Sequence, residues 1–252
     1  MNAQAYLIGA GPGAADLLTL RAVKALAAAD VLLVDDLVNP EVLAHARPGV
    51  RVVHVGKRCG GKTTPQAFIQ RLMLRYARQG YVVGRVKGGD PLVFGRGGEE
   101  AEFLVAHGIS VEVVPGITAG VAVPAALGIP VTHRACTRGV TFVTAHTQDH
   151  GEPDWAALAR SGTTLVIYMG LSRLESMTAG LLQALPADWP AAVISRGTLP
   201  SQRQVVGTLA DIAVQAREAQ LEAPALVVVG EVVNRRWLAL DLTEIEGQRQ
   251  AA

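Results

Sequence analysis

Two glycine-rich turns and an acidic pair, Asp35–Asp36, are the residues of this 252-residue chain best placed to do chemistry. The first turn lies in LIGAGPGAADLLTL, residues 7–20. Gly9, Gly11 and Ala14 fit G-x-G-x-x-G/A, where backbone N–H groups meet a pyrophosphate and an acid about 20 residues on takes a ribose hydroxyl. Asp35 or Asp36 stands at that spacing. On this turn alone two readings stand, an NAD-dependent oxidoreductase and a glycine-rich strand-to-helix connection with no cofactor, and the match by itself is weak. Pro12 argues the other way, because it removes one of the N–H donors such a site uses.

The second turn, VKGGDPLVFGRGGEE at residues 86–100, is denser. Gly88 and Gly89 let backbone approach a ligand closely, and Asp90 follows at a strand end, where open α/β sheets bind ligands. Pro91 fixes the chain. Arg96 and Glu99 then follow within one short stretch, more chemistry than a plain structural turn requires.

Composition narrows the classes. Half the chain is apolar and aromatics are scarce, so the core is built from Ala, Val, Leu and Ile. The 27 glycines form no Gly/Ser tract, which suits tight strand-to-helix turns rather than disorder. A net charge of +1 argues against a general nucleic-acid binder. Cys59 and Cys136 fit no metal-ligand spacing, so no metal is expected, and reduced thiols point to the cytoplasm. Neither a signal peptide nor a membrane span is expected from the apolar runs.

The elements that must position these residues alternate. AYLIG, DVLLVDD, VRVVHVG, YVVGRVKGGD and ISVEVVPG read as strands. Between them, DLLTLRAVKALAAA shows helical spacing at Leu17, Leu20, Val23 and Leu26, and NPEVLAHA has Asn39 as cap. TPQAFIQRLMLRYARQG places Phe68, Ile69, Leu72, Met73 and Tyr76 on one side, with Gly80 as stop, and GGEEAEFLVAHG and ITAGVAVPAALG are further helices. This alternation predicts a mostly parallel sheet with helices on both faces. IPVTHRACTRG breaks the rhythm, which puts a domain boundary between residues 133 and 134. The second half restarts with VTFVTAH, TTLVIYMG, PAAVIS, RQVVGTL and APALVVVGEVV as strands around three helices, DWAALA, RLESMTAGLLQAL and ADIAVQAREAQL. The expected domains are 1–133 and 134–252.

GAGPG, VGKR, VKGGDPLVFGRGGEE, VPGITA, GIPVTHR, VIYMG and APALVVVG occur in this order and span nearly the whole chain. In this the chain resembles the uroporphyrinogen-III C-methyltransferases, within the tetrapyrrole methylase superfamily. The resemblance implies two α/β domains, an N-terminal mostly parallel sheet and a C-terminal mixed sheet, with S-adenosylmethionine bound in the cleft between them and a homodimeric assembly. Its cofactor positions map onto Pro12, Gly88, Gly89, Asp90, Val93, Thr118 and Ala119, then Met169, Gly197 and Ala225. Its proton acceptor maps onto Asp35 and its proton donor onto Lys57. The implied substrate, uroporphyrinogen III, carries eight carboxylates and needs cations, for which Arg96, Arg134 and Arg58 are the candidates, with Glu99 positioning Arg96 or the pyrrole N–H groups and Lys62 and His133 as weaker candidates. The implied reaction is methylation at C-2 and C-7 to precorrin-2, which feeds sirohaem and cobalamin, with release of S-adenosylhomocysteine. The chain departs from the family at Asp36, where members often carry Arg, at Lys62, near a usual His, and at Gly139, often Ser. Another tetrapyrrole or corrin methylase of the same fold is the alternative.

Overall fold

The computed structural model describes residues 3–56, 64–146 and 151–237. The chain divides into two compact units, residues 1–119 and 120–252.

In the first unit, β1 (Ala5–Gly9), β2 (Val31–Val34), β3 (Arg51–His54), β4 (Val83–Lys87) and β5 (Val111–Val114) form one sheet in the order β3-β2-β4-β1-β5, every pairing parallel. Successive side chains serve two cores. Ala5, Leu7, Val31, Leu33 and Val83 pack with α2 (Gln66–Arg78) and α3 (Gly97–Ala106). Tyr6, Ile8, Leu32, Val34 and Val86 pack with α1 (Leu20–Ala28). Burial on both faces is why these strands read as unbroken apolar runs. Because all five strands run one way, the loops after β1, β2, β4 and β5 gather at one edge of the sheet.

The first glycine turn does not open a helix. Ala14 leads into a three-residue 3-10 turn, Ala15–Leu17, and α1 starts only at Leu20, where Thr19 Oγ1 accepts from Ala22 N at 3.1 Å. No helix N-terminus therefore faces the turn to hold a pyrophosphate, which removes the physical basis of the NAD reading. Leu20 is 83% exposed, and Ala22, Ala25 and Leu26 form the inner face instead of the expected leucine stripe. Asn39 does cap the next segment, but Pro40–His45 winds as a 3-10 helix. In α2 the inner face is Ile69, Met73, Leu74, Tyr76 and Ala77, while Phe68 is exposed.

In the second unit, β6 (Val140–Thr144) runs parallel to β7 (Thr164–Tyr168). β10 (Ala225–Val229) lies antiparallel between β7 and β8 (Pro190–Ser195), and β9 (Arg203–Thr208) closes the edge, giving a mixed sheet. Leu165, Ile167, Val193 and Val227 pack against Trp155 of α5 (Trp155–Ala159), Met177 and Leu181 of α6 (Leu174–Leu181) and Ile212 of α7 (Ile212–Glu218). The expected last strand is shorter than the apolar run. It ends at Val229, and Glu231–Arg235 turns as a 3-10 helix.

Helix α4 (Ala119–Ala126) joins the second unit from Gly120 onward, ahead of the 133/134 junction read from the sequence. Gly120 N donates to Tyr168 Oη at 2.7 Å, and a Cβ on Gly197 would overlap Val123. Among the described residues no helix is long and apolar enough to cross a membrane.

Candidate functional site

Three glycines meet at the carboxyl edge of the first sheet. A Cβ on Gly9 would lie 2.5 Å from Gly116 N and 2.8 Å from Gly89 O, so only glycine lets these three backbones touch. Gly89 N donates to Gly11 O at 2.6 Å and Gly11 N to Gly89 O at 3.2 Å, tying the first turn to the second. Asp90 adds the third stitch. Its Oδ1 accepts from Leu92 N at 2.8 Å and its Oδ2 from Gly116 N at 3.1 Å. Pro12, Gly88, Val93 and Thr118 stand half-buried on these same loops, and half-buried Ala119 opens α4 directly after them.

Beside this cradle lies a ring of alternating charge. Arg85 Nη2 is 2.6 Å from Asp35 Oδ1, and Arg85 Nε is 3.0 Å from Glu100 Oε1. Lys87 Nζ is 3.4 Å from both Asp35 Oδ2 and Glu100 Oε2. Arg85 and Lys87, two apart on β4, share the face covered by α2 and α3. Both are buried, as is Glu100, whereas the Asp35 side chain keeps 28% of its surface open. Arg85 Nη1 also donates to the carbonyls of Leu33 and Val86, and Gln66 Nε2 donates to Glu100 Oε1 at 2.9 Å. Two cations facing two carboxylates make the burial tolerable, since an unpaired charge there would be costly. The acidic pair thus separates. Asp35 enters the ring, and Asp36 lies against Gly56, where a Cβ would collide with its carboxylate.

Arg96 sits at the N-terminus of α3 in the left-handed region, φ 59°. Its Nε and Nη2 donate to Glu99 Oε1 and Oε2 at 3.0 and 2.7 Å, a two-pronged pair about half exposed. The hydrogen bond from Arg96 holds the Glu99 carboxyl below its ordinary range, and the same bond raises Arg96 above its own.

In the second unit, Met169, Gly197 and Ala225 emerge at one end of the mixed sheet. Ala225 pairs with Ser195, and Leu226 with Tyr168, so Met169 and Gly197 follow directly from the two strands flanking β10. Met169, Arg196 and Thr198 all have positive φ, as do Phe94 and Arg96 in the first unit. Among the described residues, five of the six such non-glycine residues thus fall in or beside the candidate loops, and each such conformation costs about 1–3 kcal/mol. Arg134 is exposed on the turn after α4, beside His133, whose Nδ1 lies 3.3 Å from Cys136 Sγ. No group of three or more His, Cys, Asp or Glu among the described residues could hold a metal ion. Lys57, Arg58 and Lys62 lie outside the described residues.

Residues 4–213 match the family described as Tetrapyrrole (Corrin/Porphyrin) Methylases. The chain belongs to the tetrapyrrole methylases. It is 56% identical over 235 residues to the uroporphyrinogen-III C-methyltransferase of Pseudomonas aeruginosa, covering 93% of this chain and 96% of that one. It also resembles the crystal structure of the Thermus thermophilus uroporphyrin-III C-methyltransferase complexed with S-adenosylhomocysteine. That likeness has a TM-score of 0.77 and 43% identity, over 91% of this chain and 98% of that one. A cobalt precorrin-4 methyltransferase aligns with a TM-score of 0.82 at 28% identity, over 91% and 95% of the two chains.

In this tetrapyrrole methylase, sequence reasoning missed Arg85, Lys87, Glu100 and Gln66. The signal was present. Two cations two apart inside the strand YVVGRVK must be buried if the strand is central, and buried cations need carboxylates.

Proposed function

We propose that this chain is an S-adenosylmethionine-dependent C-methyltransferase that converts uroporphyrinogen III to precorrin-2 by methylation at C-2 and C-7. The observation that carries the reading is the convergence, at one sheet edge, of a glycine cradle, the part-exposed carboxylate of Asp35 and the exposed guanidinium of Arg96. S-adenosylmethionine, when bound, supplies a methyl group on a positively charged sulfur, which an electron-rich pyrrole carbon displaces.

The residues present fit that ligand. The Asp90 carboxylate has acceptor capacity beyond its two backbone donors for a ribose hydroxyl or an ammonium. Thr118 offers a hydroxyl, while Pro12, Gly88, Gly89, Val93 and Ala119 offer close backbone approach. Met169, Gly197 and Ala225 offer apolar surface and backbone groups for a purine. Arg96, with Arg134 and Arg58, binds substrate carboxylates, and Glu99 aims Arg96. Asp35 takes the proton the methylated ring must shed, and Lys57 acts as donor. The active assembly is a cytoplasmic homodimer; the dimer rests on the family resemblance, the compartment on the cysteine pattern.

Calorimetry with S-adenosylhomocysteine and with NADH tests the ligand class. Binding of the first and not the second is expected, and the reverse would overturn the reading.

A further inference from the structure

We propose that Arg85 and Glu100 are positioning residues for Asp35, coupling the candidate proton acceptor on the β2 loop to the first turn of α3, which carries the substrate-binding pair Arg96–Glu99. The inference rests on the methyltransferase reading and deepens it.

The geometry closes on itself. Each carboxylate spans both cations and each cation spans both carboxylates, through distances of 2.6, 3.0, 3.4 and 3.4 Å. Arg85 has no slack. Its Nη2 holds Asp35, its Nε holds Glu100, and its Nη1 is committed to the carbonyls of Leu33 and Val86. A guanidinium so held is a rigid strut, and Asp35 Oδ1 is oriented by it. The strut's other end is Glu100, fully buried, next in sequence to Glu99 and fixed again by Gln66 from α2. Movement of the first turn of α3 when Arg96 takes a substrate carboxylate therefore passes through Glu100 and Arg85 to Asp35. Three of the four members are enclosed, and only Asp35 reaches the surface. A cluster built for stability alone has no need to leave its one accessible oxygen-bearing group at the edge where the reactive loops gather.

Glu100→Gln keeps the volume and removes one negative charge. Among the described residues, Asp35 is then left to span Arg85 and Lys87 without the second carboxylate that fixes the guanidinium fork. Expected are a fall in kcat of about 10- to 100-fold from the misplaced group, a near-unchanged KM for the tetrapyrrole, and an unchanged Kd for S-adenosylhomocysteine. Gln66→Ala removes one hydrogen bond to Glu100 without changing charge. It tests the same link in a milder form should Glu100→Gln fail to fold, with a smaller fall in kcat and the same near-unchanged KM. Arg85→Lys, which keeps the charge and loses the fork, should behave as a positioning defect and not restore kcat.

Folded variants with wild-type kcat would overturn the coupling, leaving the ring a structural element. Loss of S-adenosylhomocysteine binding in step with kcat would overturn it too, since the effect would then be a general collapse of the edge. A wild-type chain that binds the cofactor product but methylates no tetrapyrrole would overturn the functional reading and the inference with it.

Discussion

Arg85 Nη2 stands 2.6 Å from Asp35 Oδ1 while Nε of the same guanidinium stands 3.0 Å from Glu100 Oε1. One buried arginine thus joins the end of β2 to the start of α3, and the cost of burying it is offset only while both carboxylates remain. Arg85→Met should accordingly lower unfolding stability by about 3–5 kcal/mol, because Lys87 would be the one cation of the ring left to Asp35 and Glu100. Urea unfolding measures this, and a change below about 1 kcal/mol would show the ring to be weakly coupled.

Gly116→Ala should damage the cradle. Its Cβ would overlap Gly89 O, and backbone cannot yield as a flexible side chain does. Overpacking of this kind costs about 1–3 kcal/mol. A lower melting temperature and weakened S-adenosylhomocysteine binding are expected together. Gly98→Ala, with open space around its Cβ position, is the control for the first of these.

Arg96→Ala should lower kcat/KM for the tetrapyrrole about 10- to 100-fold, the range of one lost charge-assisted hydrogen bond to a carboxylate. S-adenosylhomocysteine affinity should stay near wild type. Steady-state kinetics with calorimetry separates the two, and an equal loss of both would place Arg96 in the cofactor site instead.

Asp211 gives a pH prediction. Its Oδ1 accepts from Thr208 N at 2.7 Å and Thr208 Oγ1 at 3.1 Å, and the backbone bond from Thr208 holds its carboxyl below the ordinary range. The unfolded chain therefore binds a proton at higher pH than the folded one does. The stabilisation is complete above the ordinary carboxylate range and is lost as pH falls through the lowered folded value. Asp211→Asn should cost about 1 kcal/mol near neutrality and have little effect in acid, as thermal melts at several pH values would reveal.

Much of this was legible before the fold. VLLV and ALVVV announce buried strands, because apolar runs have few other uses, and the glycines of GGDP announce close backbone approach, which Gly89 makes to Gly11. Asn39 starts a segment through its capping side chain, and Gly80, free to adopt φ 85°, stops one. What the sequence hid was relational. Leu20 carries a helical spacing yet is exposed, because Thr19 caps the helix one turn later than the periodicity suggests. Glu100 looks like one more acid on a helix, and only the pairing of β4 with β2, which brings Arg85 to Asp35, and the packing of α3 on that face bring the three together. Gly120 and Val123 read as part of the first half, and their contacts with Tyr168 and Gly197 place them with the second. Local pattern specifies elements, whereas partners across the sheet follow from topology.

The central claim is the reaction itself. The most direct test is a mass spectrum of the tetrapyrrole recovered after anaerobic incubation of the protein with uroporphyrinogen III and S-adenosylmethionine. A product carrying two added methyl groups, with S-adenosylhomocysteine released, is the predicted result. An unmethylated tetrapyrrole recovered from folded protein that binds S-adenosylhomocysteine would contradict it.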